Sequence, residues 1–424
     1  MRQPVLAFPL LLGALWLTAG ASPLPAARAK PAATKAAAAT FSFWNSGPDL
    51  STLVKGFNRA YAGKYAIHYR NIPYANETEI VNSALSAHHG PTLMEESLTP
   101  SAPYAVEGVE VPILPLLKMA GIDPARDFPA SMWNRTTVNK VHYVAPVDAL
   151  PTVLFYNKAL FKAAGLNPNT PPVNQATFVR DAKKLTVRAK GQWGYVQEPA
   201  WPNPFLFPSL LAQFGGREAN PATRKILFDS PAGLAALTFE HNTIFKWHVS
   251  PLNASNGEAH NLFVKGKNAM EMTGAYDYPI YQKALGNHLG MAVLPVIGHR
   301  PADFLGQNYW WVFKNPGLTP AVRKAVAAWF GYYYHHSLLL AKEGTIPVWL
   351  PTLKNPAFRR IAGMPVIARA VDTGVLNPLI PNWGTTTSTY LYANISLVLE
   401  GKSSVKAGLH IAAQKMQQEM ATLP

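Results

Sequence analysis

The chain reads as an α/β protein in which sheets are flanked by helices. Three observations carry this reading. The segment opening at residue 41 runs strand, helix, strand, helix, strand, the mark of a parallel sheet. The same alternation resumes beyond residue 150. The 424 residues are 48% hydrophobic and 14% charged, and no run inside the body is long and apolar enough to span a bilayer. The apolar residues therefore serve a core large enough for one or two domains.

The elements follow in order. Phe41 and Phe43 alternate as a strand that ends at Trp44-Asn45-Ser46-Gly47-Pro48. Asp49 or Ser51 caps a helix whose apolar face is Leu50, Leu53, Val54, Phe57 and Tyr61. Tyr65, Ile67 and Tyr69 form a second strand, Ile80, Val81, Ala84 and Leu85 a second helix, and Thr92 to Met94 a third strand. Further on, Val153 to Tyr156 is strand-like, and Lys158 to Ala164 is a helix stopped by Gly165. Phe178, Ala182 and Leu185 share a helical face. Asn268 to Met272 and Met291 to Leu294 read as strands. Val322, Ala325, Val326, Trp329, Phe330 and Tyr333 make one helix face, and Val405, Leu409, Ala412 and Met416 another. Trp310 and Trp311 read as core residues of a strand. The 38 prolines fall mostly between these elements, as loop punctuation.

The first residues read as an export signal. Arg2 supplies the positive end, and Val5 to Leu17 a short apolar core broken by Pro9. Ala-x-Ala patterns follow at Ala19–Ala21 and Ala27–Ala29. Residues 1–29 are the expected signal peptide, and the Ala/Lys/Pro-rich residues 30–40 a flexible leader. Cysteine is absent, which excludes disulfides, a thiolate nucleophile, a Cys-based metal site and a lipid-modifiable Cys.

Lys plus Arg number 38 against 23 Asp plus Glu, a net charge of +15. The basic residues are scattered, without a dense block or a nucleic-acid motif, so a basic surface drawn to anionic envelope polymers outweighs a nucleic-acid binder. Adaptation to acid is a second reading, because few carboxylates leave few groups to be protonated as pH falls.

Enzymatic signatures are missing. There is no H-E-x-x-H, no G-x-S-x-G and no G-x-G-x-x-G. Gly401-Lys402-Ser403 lacks the first P-loop glycine, with Ser396 in its place. His88-His89 and His335-His336 are adjacent pairs, which do not face one metal on a helix. Glu95 and Glu96 are the nearest candidates for a glycosidase carboxylate pair, but a ligand contact in a loop or a solvated turn is the favoured reading. Aromatic residues stand out at loop positions: Trp44, Trp201, Tyr276 after Gly274, and Trp383 in Pro381-Asn382-Trp383-Gly384. Such faces suit sugar rings, whose C–H surfaces are apolar and whose edges need hydrogen bonds.

Residues Val141 to Asp148 (V-H-Y-V-A-P-V-D), Val153 to Lys158 (V-L-F-Y-N-K) and Leu160 to Pro168 (L-F-K-A-A-G-L-N-P) form one signature. Phe43-Trp44 with Phe57-Asn58, Phe214-Gly215-Gly216, Phe228 to Gly233, Phe263 to Met270, Leu294-Pro295, Gly344 to Pro347 and Gly401-Lys402 follow in order. In this set the sequence resembles the extracellular solute-binding proteins of family 1, the maltose-binding-like group of ABC transporters. Pro91 to Met94 and Tyr156 to Pro172 resemble the glycerol-3-phosphate-binding subgroup in particular. Against that subgroup's pattern, a ligand serine falls on Leu150, a phosphate-binding arginine near Asn382–Trp383, and a late tyrosine on Thr345. A phosphate needs charge-assisted donors, so a neutral sugar or glycoside is the first expected ligand and a polyol phosphate the second.

The resemblance implies a two-lobed periplasmic-binding-protein fold of type II, with the ligand in the cleft. It implies a first lobe of residues 41–147 and 308–345 and a second of 148–307 and 346–424. It implies a monomer that hands a small molecule to ABC permease subunits, with no enzyme activity, cofactor, metal or nucleic acid. Trp44, Trp201, Tyr276 and Trp383 are the expected stacking surfaces. Asp148 is the expected acceptor of sugar hydroxyls, with Glu95 or Glu96 opposite it. Tyr74 aligns with a ligand tyrosine of the subgroup, and Gln307 and Asn308 offer amides at a hinge.

Overall fold

The computed structural model describes residues 38–47, 49–73, 77–97, 104–105, 108–200, 203–342 and 345–422. The expected signal peptide and most of the leader lie outside these residues, as do Tyr74 and Trp201.

Two mixed sheets organise the chain. The first has five strands in the order Tyr65–Asn71, Ala39–Asn45, Leu93–Ser97, Asn308–Val312 and Val144–Pro146. Its first three strands in sequence are parallel, as their alternation with helices predicts. The helices Ser51–Ala60 and Glu77–Ser86 make the connections. Asn308–Val312 then inserts antiparallel, placing Trp310 between Glu95 on one side and Ala145 on the other. The third strand is Leu93–Ser97, longer than the expected Thr92–Met94. Glu95 and Glu96 are thus strand residues and not a solvated turn; glutamate's low strand propensity hid the extension.

The second sheet is built on the ten-residue strand Asp148–Asn157. Met270–Gly274 and Leu289–Val293 pair along its second half, one on each side. Asp303–Gly306 pairs at Leu150 and Pro151, and Ile346–Pro347 at Asp148 and Ala149. Gly374–Val375 runs parallel to Asp303–Phe304. The sequence pattern shows only the Val153–Tyr156 part of the long strand, because Pro151 interrupts it.

The chain passes between the sheets at three places. Val147 separates Val144–Pro146 from Asp148–Asn157, Gln307 separates Asp303–Gly306 from Asn308–Val312, and the third passage precedes Ile346. The helix Pro320–His336 fastens the first of these: the Tyr334 hydroxyl donates to the Pro146 carbonyl at 2.5 Å and the Tyr333 hydroxyl to the Val147 carbonyl at 3.4 Å. One apolar cluster runs from Phe43, Trp310 and Trp329 through Ala145, Val147 and Ile346 to Val153 and Phe155. It makes the interior continuous across the join. A second cluster, with Leu154, Phe207, Trp383 and Leu409, covers the far face of the second sheet. Burying one Leu or Phe fully contributes about 1.5–3 kcal/mol, so these clusters hold the frame on which the polar join is mounted.

Candidate functional site

The passages between the sheets bring Glu95, Asp148, Gln307 and Asn308 together. Asp148 is 1% exposed. Its Oδ1 accepts from the Asn308 backbone N–H at 3.0 Å and its Oδ2 from the Asn308 side-chain amide at 3.2 Å. Asp148, the expected acceptor of sugar hydroxyls, is thus buried with one bond from Asn308 on each oxygen, each oxygen keeping a further lone pair. The Asn308 amide also bonds the Glu95 carboxyl. Gly47 lies over both groups. A Cβ there would stand 2.7 Å from Glu95 Oε1, closer than real contacts allow, and 3.3 Å from Asn308 Nδ2, a tight contact.

Glu95 and Glu96 are successive strand residues and point to opposite faces. Glu95 shares its face with Trp310, beside Asp148. Glu96 lies opposite Tyr309 and meets Glu77, the first residue of helix Glu77–Ser86, within hydrogen-bond reach. Burial raises all four carboxyls. Asp148 goes to about 7, against the pull of its Asn308 bonds, and Glu77 to about 7. Glu95 goes well above the ordinary range, next through the Asp148 and Glu77 charges, and Glu96 likewise, next through Glu77. Glu110, at the same end, is pushed to about 9 by burial.

Donors stand on the other side of the join. The Tyr309 hydroxyl donates to Gln307 Oε1, and the Arg135 guanidinium bonds Tyr309 and the Asn377 carbonyl. Asn377 follows the second-sheet strand Gly374–Val375, so Arg135 reaches from one sheet's neighbourhood to the other's. Burial lowers its pKa. Arg135, Tyr309 and Glu77 carry no motif and were not legible as site residues.

The aromatic expectations divide. Tyr276 sits in the 3-10 turn Ala275–Asp277 that ends the strand Met270–Gly274, half-buried, with its ring edge-on to Phe205 at 6.0 Å. Gly274 permits this, since a Cβ there would fall 2.0 Å from the Tyr276 ring. Trp44 is half-buried in the opening strand with the Arg70 guanidinium 4.8 Å over its ring, so one face is already occupied. Trp383 is corrected: it opens a helix, Trp383–Thr386, is 1% exposed and packs in the second cluster with Ile380, Leu391 and Ile395. Trp310 and Trp311 are fully buried strand residues. Among the described residues no group of three His, Asp or Glu is placed to hold a metal ion, and no helix is long and apolar enough to cross a membrane.

The sequence profile of the bacterial extracellular solute-binding protein family matches residues 44–331. The chain belongs to that family. The sn-glycerol-3-phosphate-binding periplasmic protein UgpB from Brucella melitensis is 24% identical over 321 residues, 71% of each chain. An ABC transporter solute-binding protein from Thermotoga lettingae, solved with α-D-tagatose, superposes with a TM-score of 0.79 at 22% identity, covering 90% of this chain and 99% of that one. The maltose-bound MalE3 of T. maritima superposes at 0.77 and 19% identity, over 91% and 100%. The fold is that of the two-lobed periplasmic binding proteins, and the family consists of binding proteins that serve ABC transporters, not enzymes.

Proposed function

We propose that this solute-binding protein captures a sugar or glycoside between its lobes, as a monomer, and presents it to ABC permease subunits. The lobes are residues 41–147 with 308–345 and residues 148–307 with 346–424. The observation that carries the ligand class is the polar join itself. Glu95, Asp148, Gln307 and Asn308 gather acceptors and amides at the join, without a cluster of lysines or arginines among the described residues, and the half-buried Tyr276 stands at the end of the second-sheet strand Met270–Gly274. Such a set suits hydroxyls and an apolar ring face better than a phosphate. A ligand that touches both lobes only when they close shifts the balance by its differential affinity for the closed state. Tyr276 is the stacking surface, Glu95, Gln307 and Asn308 the polar contacts, with Tyr74 added on the strength of the resemblance and Trp201 on its loop position.

A glycerol phosphate or glycerophosphodiester is the second reading. It is favoured by Arg135, a largely buried guanidinium at the join without a carboxylate partner among the described residues. A thermal-shift screen of sugars, polyols, glycerol phosphate and glycerophosphodiesters tests both. A ligand at a hundredfold excess over its Kd stabilises by about 2.7 kcal/mol. A shift with one sugar class, without consumption of the sugar, supports the first reading; a shift only with phosphorylated polyols replaces it with the second.

A further inference from the structure

We propose that the join between the lobes is a proton-loaded fastening: Glu77 with Glu96 on one face of the first sheet, and Glu95 with Asp148 on the other, keep protons in the folded protein, so the join is tight in acid and loosens in alkali, and the chain is fitted to an acidic surrounding. The burial of their carboxylate oxygens argues for at least one of these protons. Glu77 and Glu96 lie within hydrogen-bond reach, and two ionised carboxylates, which only accept, cannot form that bond. Glu77 Oε1, Glu95 Oε2 and Glu96 Oε2 are buried and meet no donor among the described residues. An ionised carboxylate so placed would forfeit its hydration without replacement.

Among the described residues no cation compensates. Glu96 faces Glu77, Glu110 and, across the strand pair, Tyr309. Glu95 faces Asp148, Glu77, Asn308, Tyr69 and Tyr333. Asp148 faces Asn308, Glu95, Tyr309 and Tyr333. Glu77 further meets Ser46. The nearby arginines are engaged elsewhere, Arg135 with Tyr309 and the Asn377 carbonyl and Arg70 over Trp44. Glu110 repeats the pattern beside Glu96, and Glu218, Glu240 and Glu271 repeat it elsewhere, each buried with an oxygen that lacks a donor among the described residues.

The direction with pH follows. An unfolded glutamate releases its proton near 4.5, whereas burial holds Glu77 and Asp148 to about 7 and Glu95 and Glu96 higher. The folded state therefore binds more protons between these limits, and its stability is full below the ordinary carboxyl range and is lost as pH rises through neutrality and beyond.

The test is thermal unfolding of the purified chain from pH 4 to pH 8, wild type against Glu96→Gln, with hydrogen exchange read in the strands Leu93–Ser97 and Asn308–Val312. The glutamine offers Glu77 an amide donor at every pH. The wild-type Tm falls by roughly 5 °C or more between pH 5 and pH 8, the variant's falls less, and the two strands lose less protection in alkali in the variant than in the wild type. A wild-type Tm that holds or rises to pH 8, or a variant curve parallel to the wild type, overturns the proposal. If Glu96→Gln does not fold, Glu95→Gln gives the same comparison at the other face. Sugar capture is scored separately, by ligand-induced shifts at one fixed pH, so either idea can fail alone.

Discussion

Asn308 holds both carboxylate oxygens of Asp148, one through its backbone N–H at 3.0 Å and the other through its side-chain amide at 3.2 Å. The two residues belong to different sheets, so this clasp ties the first passage of the chain between the lobes to the second. Asn308→Ala removes the side-chain half and leaves Glu95 without that donor as well. The expected cost is about 1–3 kcal/mol in urea unfolding, together with a larger radius of gyration in solution scattering as the join relaxes. An unchanged midpoint and radius would show that the clasp is incidental.

Tyr276 and Trp383 separate a ligand surface from a core residue. Tyr276→Ala should leave stability within about 1 kcal/mol, because the ring is half-buried, and should abolish the sugar-induced shift in Tm. Trp383→Ala should cost about 3–5 kcal/mol through loss of a fully packed ring, whatever ligand is added. The two variants exchanging these phenotypes would reverse the assignment.

Gly274→Ala probes the same turn from the backbone side. A methyl group 2.0 Å from the Tyr276 ring must push it aside. Titration calorimetry with the sugar that shifts wild-type Tm should show at least a tenfold weaker Kd, about 1.4 kcal/mol, while circular dichroism stays that of the wild type.

Glu240 tests buried carboxyls far from the cleft. It is fully enclosed, accepts from Gln197 Nε2 at 3.1 Å, and burial raises it to about 8. Its stability contribution is complete below the ordinary carboxyl range and falls as pH rises toward 8. Glu240→Gln, which carries no proton to lose, should gain on the wild type across that window, by about 1–3 kcal/mol at pH 8, in paired denaturant titrations at pH 5 and pH 8. A constant difference between the two pH values would count against it.

The sequence carries the parts of this molecule that local chemistry decides. The Gln175–Leu185 helix announces itself through Phe178, Ala182 and Leu185, all buried, and Gly165 ends the helix before it with a φ of +67°. What local pattern cannot carry is partnership at long range. Nothing near Trp310 says that it will lie between Glu95 and Ala145, and nothing near Arg135 says that it will reach Asn377. The misreading of Trp383 has the same origin. Pro381-Asn382 and Gly384 look like a loop, and only the packing of Leu391 and Ile395 against the indole makes the segment a helix in the core. Asp148 and Asn308 stand out by type and place, but only the fold reveals that they are each other's partners.

The placing of Asn308–Val312 between Leu93–Ser97 and Val144–Pro146 has a bearing on biogenesis. A growing chain that has not yet delivered residue 308 holds a sheet with a bare edge at Leu93–Ser97 and leaves Val144–Pro146 without its neighbour. Closure of so long a loop is slow, since its entropy is lost before the contacts form. The first sheet therefore cannot be completed until nearly three-quarters of the chain is available, a late closure that suits a family of extracellular proteins, whose chains are kept unfolded longest when their last strand arrives late.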